Sequence, residues 1–128
     1  MKTEQISSRV IADADSASLP AVRAAVREVL EGWMPSPRRD DVLLVVDELV
    51  ANAGRHVGGE VVVDLTLEGS TVRVAVVDQD PDFRATTRPA SSDRYGLRIV
   101  DVSSDRWGVS PIVGEAPGKV VWAEFELD

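Results

Sequence analysis

Three polar side chains stand four residues apart in "DELVANAGRH", residues 47–56: Glu48, Asn52 and His56. On a helix this spacing stacks side chains nearly above one another. The line drifts by about 40° per step because a turn holds 3.6 residues. A carboxylate, an amide oxygen and an imidazole in one line can move a proton, ligate a cation and hydrogen-bond an anion. The surroundings are apolar: "DVLLVV" precedes the line, and Leu49, Val50 and Ala53 interleave with it. A carboxylate buried on such a helix costs on the order of several kcal/mol unless something pairs with it. A cation, a water or a metal-bound polyphosphate would compensate. The plainer alternative is a solvated helix face, with Glu48 and His56 pointing outward.

Two further segments bear chemistry. "VAVVDQDPDF" ends an apolar run on Asp78. A carboxylate at a strand end, against an apolar wall, can accept a hydrogen bond from an exocyclic amine, although Asp is also an ordinary turn former. "SDRYGLRIVDVSS" presents Gly96 where a long polar segment runs into a helix. Backbone amides at a helix start favour phosphate, and glycine lets a ligand approach closely. Alternatively, Gly96 only turns the chain. A third candidate, "GEAPGKV", fails as a phosphate-binding P-loop. Three residues rather than four separate its glycines, and Val120 follows Lys119 where Ser or Thr should stand. A strand-joining turn is the better reading.

These residues need elements to hold them. Residues 6–13 mix β-branched and polar residues as a first strand. Ser16 or Ser18 precedes a helix with Pro20 in its first turn. Val22, Ala25, Val26, Val29, Leu30 and Trp33 follow the spacing of one buried helix face, which Gly32 and Pro35 end. A second helix is predicted from about Arg38 to Val57, with Asp40 and Asp41 at its start and Gly58-Gly59 closing it. Val45, Val46, Leu49, Val50 and Ala53 should pack on a sheet. "EVVVDLTLEGSTVRVAVVDQD" reads as a hairpin turning at Glu68-Gly69-Ser70. Residues 79–94 are predicted as a long loop, often a functional feature. "YGLRIVDVSS" is predicted as a short helix, and "DRWGVSPI" and "GKVVWAEFEL" as strands joined by "VGEAPG". The order β-α-α-β-β-α-β-β predicts an α+β fold. It should be a two-layer sandwich with a mixed, mostly antiparallel sheet and helices on one face.

Composition bounds the rest. The 128 residues are one ordinary domain, 1–128. There is no cysteine, which excludes disulfides and thiolate metal sites. No apolar run reaches about 18 residues, so no membrane span is expected. "MKTEQISSRV" lacks the apolar centre of a signal peptide, and a cytoplasmic protein is the expectation. The net charge of −8 argues against nucleic acid as a direct partner. Positive charge is local, at Arg38, Arg39, Arg84, Arg88, Arg94 and Arg98, which suits an anionic small ligand or an acidic protein.

In order and spacing, the three segments resemble the GHKL ATPase superfamily, whose ATP-binding fold is of the Bergerat, histidine-kinase-like type. Within it they look most like the small bacterial anti-sigma-factor serine/threonine kinases. "DELVANAGRH" resembles the family's N box, "VVDQD" its Asp-x-Gly, "RYGLRIVDVSSDRWGV" its glycine box and the following elements, and "GKVVWAEFEL" its closing strand. The match runs from about Leu19 to Leu127. The resemblance implies ATP and Mg²⁺ as cofactors, with Asn52 on the metal and Glu48 as general base. It implies Asp78 on the adenine N6 and His56 at the pocket edge. Gly96 and Leu97 would lie against the phosphates, with Arg94 adding positive charge. The implied activity is phosphorylation of an anti-sigma antagonist together with sequestration of a sigma factor. Relatives of this type often pair, so a homodimer is among the expectations. The chain departs from the pattern at Asp80 and Arg94, which stand at family glycine positions, and at Val120, where many relatives have Thr. A partner-binding or nucleotide-sensing module without turnover is the alternative.

Overall fold

Period-two runs of β-branched residues build one sheet, and two helices with apolar faces cover it. In the computed structural model, residues 4–13, 18–56, 60–78, 93–112 and 118–127 are described. The chain runs β1 (Gln5–Asp13), α1 (Leu19–Glu31), α2 (Arg38–His56), β2 (Glu60–Glu68), β3 (Thr71–Asp78), α3 (Asp93–Ser103), β4 (Arg106–Ile112) and β5 (Gly118–Glu126). This is the predicted order. The five strands lie as β1-β2-β3-β5-β4. Each neighbouring pair is antiparallel, so the sheet is not mixed among the described residues.

Alternation decides which face is buried. Val61, Val63 and Leu65 of β2, Val72, Val74 and Val76 of β3, and Val121, Ala123 and Phe125 of β5 are all buried. The register stacks them into rows, Val63–Val76–Val121 and Leu65–Val74–Ala123. The intervening Asp64, Thr66, Arg73, Trp122 and Glu124 are only partly buried and form the open face. Against the buried rows lie Val42, Leu43, Val45, Val46, Leu49, Val50 and Ala53 of α2, and Val22, Val26 and Leu30 of α1. Each such side chain contributes about 1.5–3 kcal/mol relative to exposure. The apolar residues expected beside the Glu48 line are thus core residues.

Local signals behave as read, with small shifts. Ser18 takes the N-cap position of α1 through its carbonyl, which accepts the Val22 N–H at 3.0 Å; its hydroxyl makes no capping hydrogen bond. Gly69 turns the hairpin at φ 61°, a conformation that side chains with a Cβ resist. The described part of α2 reaches His56, and the expected last residue, Val57, lies outside the described residues. The closing Gly58-Gly59 lies outside the described residues, as does the joining segment 113–117. Helix α3 starts at Asp93, two residues earlier than expected, so Asp93 and Arg94 belong to a helix rather than to the loop. The rest of that loop, 79–92, is outside the described residues.

One arginine fixes how the layers meet. Arg38, at the start of α2, donates to the Ser103 carbonyl that ends α3 at 3.1 Å, to Asp41 at 3.1 Å and to Asp105 at 2.6 Å. Its guanidinium lies 5.2 Å from the centre of the Phe125 ring. Asp105 in turn accepts the Glu126 backbone N–H at 2.7 Å. The end of α3 is therefore held at the beginning of α2. The two helices also pack against each other.

Candidate functional site

Asn52 and Lys119 are the buried polar or charged residues among those described, 9% and 0% exposed. Each engages a partner in the fold. Both belong to an otherwise apolar core, so they mark its unusual region.

Helical geometry explains Asn52. Leu44, 41% exposed, marks the outer side of α2, and Leu49 and Ala53 the inner side. Glu48 lies at the edge between them and is half-buried. Asn52, four residues on, is rotated about 40° further inward. Of the expected line of polar residues, the buried member is the amide. The carboxylate keeps partial access to solvent, which reduces the cost of its charge. His56 is the last described residue of α2, and its side chain is outside the described residues.

The neighbouring acid points elsewhere. Asp47 faces α1, where its Oδ2 lies 3.1 Å from the Arg23 Nε. The pair is close but poorly aligned: Arg23 Nε and Asp47 Oδ1 lack hydrogen-bond partners. Burial pushes the Asp47 carboxyl above its ordinary range, and Arg23 opposes that only in part. Of the adjacent acids, Asp47 therefore belongs to the α1–α2 contact, and Glu48 to the opposite flank.

The remaining candidates are placed by their elements. Asp78 is the last residue of β3 and stands opposite Lys119 of β5 in the ladder. Arg94, Gly96 and Leu97 fall in the first turns of α3, where the first four backbone N–H groups have no partner within the helix. Gly96 is the fourth residue of α3 rather than a residue ahead of it. The side chains of Asp78, Arg94 and Leu97 are outside the described residues, as is Asp80. Helix α2 packs against β3, β5 and α3, so all the segments that carry candidates meet through it.

The sequence reading placed Lys119 in the strand "GKVVWAEFEL" but did not mark it as buried. The signal was present. Phe125, Ala123 and Val121 alternate inward, and two more steps along the strand reach Lys119.

A divalent cation can be tested against this donor set. Among the described residues no three His, Asp or Glu side chains converge. A cation at Asn52 would gain one neutral oxygen from the protein and the rest from phosphate and water. Magnesium accepts that set, whereas zinc requires three or four protein ligands. The residues fit the magnesium expectation. No helix among the described residues is long and apolar enough to cross a membrane.

Sheet order and helix layer together define a two-layer α+β fold, an antiparallel sheet covered by helices. The chain matches the histidine kinase-like ATPase domain family over residues 12–116, and it belongs to that family. Its fold is similar to that in the crystal structure of the RsbU and RsbW domains of Rv1364c from Mycobacterium tuberculosis. The TM-score is 0.71 at 21% sequence identity, over 95% of this chain and 32% of that chain. The chain thus spans about a third of the length of that solved chain. No curated protein matches it.

Proposed function

We propose that this protein binds Mg-ATP where α2 meets the ends of β3 and β5, and that it acts as a regulatory serine/threonine protein kinase of the anti-sigma type. The observation that carries the reading is Asn52, an amide sunk into a valine core one helical turn from a half-buried Glu48. Membership of the ATPase family and the likeness to a fold containing an RsbW domain support it.

Each residue then has a task. Asn52 presents a neutral oxygen to the cation. Glu48, about 6 Å further back along the axis, holds or removes the proton of the attacking hydroxyl. Its partial exposure lets a hydroxyl from another protein reach it. Asp78 accepts the adenine N6 amine. The α3 start, with Gly96, Leu97 and Arg94, faces the phosphates with unpartnered N–H groups and positive charge. His56 lines the pocket edge. Magnesium, when bound, neutralises phosphate charge. Beyond that, phosphoryl transfer asks the protein mainly for positioning. The partners on this reading are a sigma factor and its anti-sigma antagonist, the latter being the hydroxyl substrate.

A second reading rests on Asp80 and Arg94, which replace family glycines. On it the protein senses nucleotide or binds partners without turnover. Titration calorimetry with Mg-ATP, followed by transfer of labelled phosphate to a co-purified partner, separates the two. The kinase reading expects binding heat, and transfer that Glu48→Ala abolishes while ATP binding persists. Binding without transfer favours the second reading. No heat at millimolar nucleotide, with the protein folded, removes both ATP readings.

A further inference from the structure

The line of residues four apart extends backward from the candidate site. Asp40, Leu44, Glu48 and Asn52 follow one another at that spacing along α2, and their burial rises in step. Asp40 is exposed, Leu44 is 41% exposed, Glu48 is half-buried and Asn52 is 9% exposed. Each step turns the line about 40° toward the sheet and advances it about 6 Å along the axis. The helix therefore carries a ramp that begins in solvent and ends at the buried amide. Its outer half is unlike a plain solvated face. Leu44 is a large apolar side chain left exposed. The Asp40 carboxylate accepts a hydroxyl, from Ser36 at 3.4 Å, and meets no cation among the described residues. Asp41 beside it is paired with Arg38 at 3.1 Å.

We infer that this ramp is the docking track for the phosphoacceptor segment of a partner protein: an extended segment with serine or threonine at Glu48, an apolar side chain on Leu44 and a basic one at Asp40. This rests on the assignment of Glu48 to the acceptor hydroxyl and deepens it by naming the substrate class. The two spacings agree. An extended segment repeats its side-chain direction every second residue, about 6.6–6.8 Å, and the helix repeats its line every fourth, about 6 Å. Over two steps the mismatch stays under about 2 Å, within the reach of a side chain. An apolar side chain on Leu44 removes both from water, and a cation meets the Asp40 carboxylate. The chain as a whole carries −8, so a basic segment is also drawn to it from a distance. In the transfer, the hydroxyl oxygen bonds the γ-phosphorus and the bond from phosphorus to the β–γ bridging oxygen breaks. The hydroxyl proton passes to Glu48, and ADP leaves. Leu44 and Asp40 take no part in that step; they select which hydroxyl reaches it.

The test uses the full chain, Mg-ATP labelled at the γ-phosphate, and short peptides. The parent peptides carry serine, with leucine two residues away and lysine four residues away, in both chain directions. Control peptides replace the leucine by glutamine or the lysine by glutamate. One direction should be accepted. Its kcat/KM should stand about tenfold above the glutamine control, the worth of a leucine partly removed from water. It should stand about fivefold above the glutamate control, the worth of an exposed ion pair. Asp40→Lys should invert the second preference, so that the glutamate peptide becomes the better substrate. Leu44→Gln should erase the first. Both side chains are exposed, so both variants should fold, and calorimetry should show Mg-ATP affinity close to wild type. A merely structural role would not exchange one preferred peptide for another. Equal kcat/KM on parent and control peptides, or an Asp40→Lys variant that keeps the wild-type order, overturns the inference. So does transfer to a co-purified partner with none to any peptide, which leaves the kinase reading standing. ATP binding with transfer to neither peptide nor partner removes the kinase reading and the inference together.

Discussion

The two ends of α2 treat polar groups in opposite ways. At its start, Arg38 gathers Asp41, Asp105 and the Ser103 carbonyl, all at the rim of the molecule. Each of these groups has an evident partner and water reaches most of them, whereas the Arg39 Nε beside them is buried without a hydrogen-bond partner. In its second half Asn52 is sunk in the core, with Lys119 buried in the sheet that α2 covers. Rim networks of the first kind join elements and cost little to assemble. Buried polar groups of the second kind gain little stability over apolar residues of the same volume. An arrangement that stability alone would replace with leucine or valine points to recognition, and this contrast is why the candidate site is assigned to one end of the helix.

The sharpest way to break the contrast is Asn52→Ala. If the buried end serves the ligand, Mg-nucleotide affinity should fall at least about a hundredfold, the cost of losing a metal ligand and its orientation. Stability should change by only about 1–3 kcal/mol, mainly from the partner left behind. Calorimetry and a denaturant melt of the same sample read both. A large loss of stability with affinity retained would make Asn52 a structural amide.

At the other end, Arg38→Ala should reverse the balance. Its side chain is 30% exposed, and its guanidinium forms hydrogen bonds at 2.6–3.1 Å and lies over Phe125. Removing it should cost about 1–3 kcal/mol in a urea melt. Nucleotide affinity should fall by less than about tenfold, because α3 loosens at the end far from Gly96. An affinity loss matching that of Asn52→Ala would mean the two ends are one coupled unit.

How much of this contrast was legible beforehand depends on the range of each signal. The α2 face, the Gly69 hairpin and the order of elements arise from neighbours within a turn or two, and a single chain displays them. The Glu48–Asn52 spacing is local in the same sense. Asp78 and Gly96 are different: a strand-end acid and one glycine carry little by themselves, and only resemblance to a family singled them out. The insertion of β5 between β3 and β4 pairs Asp78 with Lys119 across the chain, and no local pattern announces it. The Arg38–Asp105 contact is equally remote in sequence. Lys119 falls within the expected last strand, whose alternation already places it inward, but a lysine beside a Gly-rich segment does not announce burial.

The smallest expected effects come from acids with opposite shifts, and they refine the contrast between rim and interior. The Glu126 N–H, together with Arg38, holds the Asp105 carboxyl below its usual range. Arg106 does the same for Glu124. For such groups the folded form binds its proton later than the unfolded chain. Their contribution is therefore complete above about pH 4 and is lost as pH falls through that ordinary value toward the depressed one. Asp47 has the opposite sign. Burial raises its pKa, so its ionised form opposes folding at neutral pH, and acidification through the raised value relieves that. Asp105→Asn should accordingly be less stable than wild type at neutral pH. Asp47→Asn should equal or slightly exceed wild type, by well under about 1 kcal/mol. Both differences should vanish in acid, where wild type carries neutral groups too, and the Asp47 difference should vanish first, at the higher pH. Urea midpoints collected from pH 7 downward test the order. If Asp47→Asn is the less stable variant at neutral pH, then the Arg23 contact outweighs burial, and the interior flank of α2 follows the same rule as its rim.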